Sequence, residues 1–207
     1  MYIICTSDDF QPATIPLFEK YWKPLKEKHP GLIVTFYVSP YNQEFGQGEE
    51  NNVETSGLFK QWYEENKEWC MVELHGNTHT KPPENLRDKM EQIRVINEGK
   101  LVLKDYLDFS CKGYKAPFYR MDENTFDILR ESDFKWFSQW WHLNLLTINN
   151  KPLPPFRELP THTSLPEGNN PDNIDKIYEQ LDAQLTEYED AGWKYSSFRQ
   201  IVKEVTQ

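Results

Sequence analysis

The sequence predicts a single α/β domain over residues 1–207, with parallel strands curling into an irregular barrel rather than an open sheet. Two observations predict it. Short apolar runs alternate with longer amphipathic ones along the whole chain, which is the pattern of repeated strand–helix units. Residues able to hold a metal also follow three of the apolar runs: Asp8 and Asp9, His75 and His79, and His162. In parallel α/β folds the C-terminal strand ends open onto one face, and sites gather there.

The elements follow in order. A first strand is expected at 2–5 (Tyr-Ile-Ile-Cys) and a helix at 15–27. Pro24 lies inside that helical pattern, so a kink or break is expected, because proline has no N–H and its ring crowds the preceding turn. A strand at 33–38 leads into a polar, glycine-containing loop at 42–55 near the site face. Then come a helix at 56–66 and a strand at 71–74. Pro82-Pro83-Glu84 opens a long helix at 83–106, proline being tolerated in a first turn. A strand at 113–116, a helix at 123–132 and a strand at 136–138 follow, with a proline-rich loop at 144–155. The chain closes with a strand at 156–160, a helix at 172–191 opened by Asn170-Pro171-Asp172, a strand at 193–195 and a helix at 197–205. No repeat, low-complexity tract or linker divides it.

A chain of 207 residues buries a proper core. Its net charge of −10 argues against a basic nucleic-acid face. No apolar run approaches the roughly 20 residues that span a bilayer. The chain opens on a strand and shows no signal peptide, so a cytoplasmic protein is expected. Three cysteines suit reduced, buried thiols, with Cys5 in the core of the first strand. Trp136, Trp140 and Trp141 form a cluster that serves either as core or as a wall on which a sugar stacks.

Asp8 and Asp9 sit together at a strand end. Side chains alternate on an extended chain, so one carboxylate can bind a metal while the other stays available as a base. A helix N-cap or turn pair is the plainer use of the same residues. His75-Gly76-Asn77-Thr78-His79 places two imidazoles four apart, where one turn lets them share a metal. The zinc-protease helix needs Glu directly after its first His, and Gly76 stands there instead, favouring a loop or single turn. His162 ends a late strand in Leu159-Pro160-Thr161-His162-Thr163. His29 and His142 lack such a setting and read as surface or structural.

Together these residues resemble the polysaccharide deacetylase superfamily, carbohydrate esterase family 4 or the NodB homology domain. Thr6-Ser7-Asp8-Asp9 matches its opening Thr-Phe-Asp-Asp pattern, and His75 and His79 match its His-x-x-x-His. Lys115-Ala116-Pro117-Phe118 looks like its Arg-x-Pro-Tyr, and Leu159-Pro160-Thr161-His162 approximates its final Leu-His-x-His strand end. The first two motifs are specific together and the last two are degenerate. The resemblance implies an irregular (β/α)7 barrel that hydrolyses acetyl groups. It implies a divalent metal on Asp9, His75 and His79, with zinc expected and cobalt or nickel able to substitute. It implies Asp8 as general base, His162 as general acid, and the backbone N–H of Phe118 as oxyanion donor. Phe10 follows Asp9 where many members carry Gly. Lys115 replaces the arginine that orients the base, with Arg120 as an alternative, and no clean fourth motif appears. Asp133 lies near that motif's place but reads as a helix-to-strand turn.

The expected substrate is an N-acetylated or O-acetylated sugar, or another acetylated small molecule, with Phe118, Tyr119, Trp140 and Trp141 as its walls. A C–N hydrolase acting on a non-sugar amide is the neighbouring reading. A degenerate relative that binds metal or carbohydrate without turnover is the non-enzyme one.

Overall fold

The computed structural model describes residues 1–41, 52–80, 87–139, 142–145, 153–162 and 171–206, with the backbone alone at 142–145, 161, 162 and 171–173. Eight strands form one sheet: β1 (Tyr2–Phe10), β2 (Val34–Val38), β3 (Cys70–Leu74), β4 (Gly113–Lys115), β5 (Trp136–Gln139), β6 (His142–Leu145), β7 (Phe156–His162) and β8 (Lys194–Tyr195). Their order is β6-β5-β4-β3-β2-β1-β7, and β8 pairs with β1. Every pairing is parallel except β5 with β6. Six parallel strands, β5 to β1 and β7, curl as a half-barrel with helices around them. This is the expected α/β barrel architecture.

The helical layer consists of α1 (Ile15–Leu17), α2 (Lys23–Lys28), α3 (Gly57–Asn66), α4 (Lys89–Leu107), α5 (Glu123–Glu131), α6 (Pro171–Asp190) and α7 (Phe198–Thr206). Between α1 and α2 the helix widens into a π turn over Phe18–Trp22, whose closing bond runs from Lys23 N–H to Phe18 O. Pro24 therefore does not break the helix. The widened turn accommodates the missing N–H and the ring. His29 ends α2 and is buried between Asp182 and Glu189 of α6, at 2.9 and 2.8 Å, a structural clamp.

The aromatic load is mostly core. Phe10 packs against Phe36 and Trp62 with ring centroids 4.5 and 4.4 Å apart, and Phe18 and Phe59 complete the nest between sheet and helices. Trp136 belongs to a second cluster with Ile4, Phe198, Ile201 and Val202, where α7 covers the barrel. Gly113 faces this indole so closely that an added Cβ would lie 2.4 Å from its ring atoms. The buried Glu73 accepts hydrogen bonds from the Lys112 and Gly113 N–H groups and from Arg199, tying α7 to β3 and β4. Cys5, Cys70 and Cys111 are all buried free thiols, as expected.

Three expectations need correction. The long helix does not start at Pro83 but at Lys89, because the Asp88 carboxylate caps it by accepting from the Met90 and Glu91 N–H groups. The segment read as loop from residue 144 contains the end of β6, which folds back on β5 with Asn144 opposite Phe137. The first strand runs on through Asp8 and Asp9 to Phe10, because β7 and β2 pair with it along that length. Of the loop read at 42–55, residues 42–51 lie outside the described residues, as do Trp140 and Trp141.

Candidate active site

Three of the segments singled out by sequence meet at the C-terminal rim of the barrel. Asp8 and Asp9 come from the end of β1, His75 and His79 from the loop after β3, and Lys115 to Tyr119 from the end of β4. His162 ends β7, where its backbone is the register partner of Asp8.

A bulge separates the two aspartates. Between Ser7 and Phe10 the register of β1 against β2 slips, and Asp9 takes a left-handed φ of 59°. Thr6 and Asp8 share one face of the strand, and both reach the interior cluster on Lys115 and Glu158. The bulge turns Asp9 over the rim instead, and Phe10 then returns to the aromatic core. This is how adjacent carboxylates come to serve different partners.

Asp9 Oδ1 lies 3.3 Å from His75 Nε2 and 2.9 Å from His79 Nε2. One ligand atom from each residue falls within 4.8 Å of the others. Donors about 2.0–2.1 Å from a tetrahedral metal stand roughly 3.3 Å apart, so the set has the right size for a divalent cation. The tautomer fits as well. His75 Nδ1 lies 2.9 Å from the Lys115 carbonyl, which can only accept, so Nδ1 carries a proton and Nε2 is the nitrogen that would be offered to a metal. A carboxylate oxygen and two imidazole nitrogens converging in a buried place suit a cation between them. Gly76, at φ 68°, makes the turn that carries the chain from one histidine to the other, and His79 itself is left-handed at φ 49°. The Phe118 ring packs on His79 with centroids 4.5 Å apart.

Asp8 faces a different set of groups. Lys115 Nζ is 2.9 Å from its Oδ1, and the Tyr119 hydroxyl donates to its Oδ2 at 2.8 Å. Lys115 is fully buried, whereas Arg120 is exposed. Burial, reinforced by the Asp8 charge, pushes the Tyr119 phenol far above its usual range, so it stays a donor. Tyr119 was expected as a substrate wall, and its hydroxyl lies on Asp8. Phe118 and Tyr119 are both left-handed, at φ 54° and 55°, and Gln139 Nε2 holds the Tyr119 carbonyl.

Sequence reasoning missed two neighbours. Glu158 of β7 accepts from Thr6 Oγ1 at 2.9 Å and stands 3.8 Å from Lys115 Nζ. Strand parity could have found both, since Glu158 lies two steps of alternation before His162 and Thr6 one step before Asp8. Asp133, near the place of the absent fourth motif, lies in the α5–β5 turn, where it pairs with Lys100 and Lys112.

The barrel and its rim thus define an α/β protein with a buried carboxylate–imidazole site beside a second, ammonium-bound carboxylate. Solved structures carry the identification one step further. The chain superposes on a mutant of a carbohydrate esterase family 4 pseudoenzyme with restored enzymatic activity (TM-score 0.65, 14% identity, 97% of this chain and 67% of that one); the unmutated pseudoenzyme is from Bacillus anthracis. It also superposes on the Bc1960 peptidoglycan N-acetylglucosamine deacetylase (0.64, 15%, 97% and 87%). A family 4 acetyl xylan esterase from Clostridium thermocellum, in complex with a cobalt ion, gives 0.61, 14%, 98% and 91%. No family model matches the chain, and no curated protein does. The fold is that of the NodB-like polysaccharide deacetylases of carbohydrate esterase family 4, carried by a widely divergent sequence.

Proposed function

We propose that this chain is a metal-dependent hydrolase that removes acetyl groups from an N-acetylated or O-acetylated sugar or polysaccharide. The observation that carries the reading is the pairing of two sites on one rim: Asp9, His75 and His79 within ligand distance of one another, and Asp8 held separately by Lys115 and Tyr119. Of the neighbours in fold, one is a peptidoglycan N-acetylglucosamine deacetylase and one an acetyl xylan esterase.

Asp9, His75 and His79 hold the metal in this reading. Zinc suits two imidazoles and a carboxylate, and cobalt or nickel would serve in its place. When bound, such an ion supplies Lewis acidity toward the acetyl carbonyl and the attacking water. The chain's own groups do the rest. Asp8 takes the proton of the attacking water on a lone pair left over from its bonds to Lys115 and Tyr119. Those two bonds fix the carboxylate plane before the substrate arrives. The Phe118 backbone N–H donates to the oxygen of the tetrahedral intermediate, a contribution of about 3–4 kcal/mol for one well-placed donor. His162 hands a proton to the departing amine or alcohol, since imidazole titrates near neutrality. Phe118, packed on His79, walls one side of the acetyl pocket, and Trp140 and Trp141 are proposed as sugar-stacking surfaces.

The deciding experiment combines metal analysis with acetate release from a panel of acetylated glycans. Asp8→Asn keeps the shape of the carboxylate and loses its basicity. It should retain the metal and lose about 10²–10⁴-fold in turnover. A chain that binds metal and glycan but releases no acetate from any member favours a second reading, a binding relative without turnover. The lysine standing in place of the family's arginine, and a neighbour in fold that is a pseudoenzyme, support that alternative. Acetate released only from non-sugar amides would redirect the substrate class and leave the chemistry intact.

A further inference from the structure

Glu158 is a buried acid that the proposed chemistry leaves unused. It is 7% exposed, lies four residues before His162 on β7, and pairs in register with Ile4. Its Oε1 accepts from Thr6 and faces Lys115 Nζ at 3.8 Å, while the same ammonium is 2.9 Å from Asp8. One fully buried cation therefore serves two carboxyl groups. The rings of Tyr37 and Tyr119 lie 5.1 and 5.4 Å from that ammonium and box it in. Glu158 Oε2 has no hydrogen-bond partner among the described residues. A carboxyl group with one oxygen lacking a donor is better accommodated neutral than ionised.

We propose that Glu158 is a positioning residue for Asp8, acting through the Lys115 ammonium that the two carboxyl groups share. This rests on Asp8 being the base of the proposed hydrolase. With Glu158 neutral, the charge of Lys115 is committed to Asp8. With Glu158 ionised, the two carboxylates compete for one point charge on a flexible stem, and Asp8 is held less firmly. Burial pushes Glu158 up to about 7, against the pull of Lys115 and Thr6, so the changeover falls in the neutral range. The titratable groups facing it are Lys115 on β4, Asp8 on β1, Tyr37 on β2 and Tyr119 after β4. The neighbouring α6 residues, Ile177, Gln180, Leu181 and Gln184, do not titrate.

Isotope-edited infrared spectroscopy of the full chain, with glutamate carboxyls labelled, reads Glu158 without any substrate. A protonated-carboxyl band should titrate near pH 7 and vanish in Glu158→Gln. Asp8→Asn should move its midpoint down and Lys115→Met should move it up, each by about one pH unit or tenfold in proton affinity. An unmoved midpoint in Asp8→Asn, or no titrating band, overturns the sharing of Lys115. In the acetate assay, the kcat of Glu158→Gln relative to wild type should rise with pH, reaching roughly tenfold at pH 8 with KM unchanged, because a group titrating near 7 is about nine-tenths ionised there. A ratio that stays flat with pH overturns the positioning role even where the infrared result holds. A wild-type chain without turnover removes the functional reading and the positioning role with it, while the infrared arm still decides whether Lys115 is shared.

Discussion

Replacing Lys115 by methionine takes one charge out of the barrel interior and very little volume. The ammonium is 2.9 Å from Asp8 and 3.8 Å from Glu158, with no exposed surface. At an effective dielectric of about 20 these separations correspond to attractions of about 6 and about 4 kcal/mol. Desolvating the charges offsets much of this, and breaking a buried pair by removing one partner costs about 3–5 kcal/mol. A fold of this size loses about 2–4 °C per kcal/mol, so Lys115→Met should melt about 6–20 °C lower at pH 8. The sign with pH follows from Glu158. Its folded value lies above the ordinary carboxylate range, and Lys115 is a lowering influence on it. Without Lys115 it rises further, so the penalty grows as pH rises and is smaller at pH 5 than at pH 8. Metal content should not change, because Lys115 supports His75 through its backbone carbonyl. Turnover should fall about 10²–10⁴-fold as Asp8 loses its orientation. Calorimetry at both pH values, metal analysis and acetate release make the assay. A variant with turnover within about threefold of wild type, beside a crippled Arg120→Ala, would refute the reasoning and assign Asp8 to Arg120.

Three further outcomes are expected. His75→Ala and His79→Ala should each lose most of the bound metal by elemental analysis while remaining folded; a full equivalent in both would place the metal elsewhere. Glu158→Gln should match wild-type stability near pH 4 and exceed it at pH 8 by at most roughly 3 kcal/mol, since a raised acid burdens the fold only above its unfolded value and fully above about 7; denaturant titration at the two pH values decides it. Gly113→Ala should cost about 1–3 kcal/mol in denaturant unfolding, because its Cβ would need the space of the buried Trp136 ring; a loss under about 0.5 kcal/mol would mean that the indole yields freely.

The repeating strand–helix order was legible because each strand is short, apolar and bounded by polar turns, and burial on both faces demands that composition. The metal-type residues were legible because they follow the apolar runs directly. Boundaries failed where a single side chain decides them: Asp88 as a cap outweighs the prolines before it. The β6 hairpin was not legible, because His142-Leu143-Asn144-Leu145 alternates too briefly to stand apart from the loop after it. Lys115 lies beside Asp8, and Asp9, His75 and His79 lie close to one another, the residues that the motifs had singled out. Tyr119 and Glu158 were not anticipated in their places. Their effect depends on the bulge at Asp9 and the left-handed turn at Phe118, backbone features that non-glycine residues rarely announce.

The placing of β1 has a consequence for how the protein comes into being. This strand precedes the other described strands in the sequence and is paired along both of its edges. One edge is taken by β7, and the other by β8 and then β2. Thr6 and Glu158, joined by a hydrogen bond, lie 152 residues apart in the chain. Such distant partners make loop closure slow and leave early segments waiting for late ones. On the ribosome, Asp8 and Asp9 emerge before His75, His79, Lys115 and Glu158, on a strand whose partners β2, β7 and β8 are all still unmade. The acidic half of the site is thus first in synthesis and last in assembly, and a nascent chain cut short before β7 carries the residues of the centre without the scaffold that brings them together.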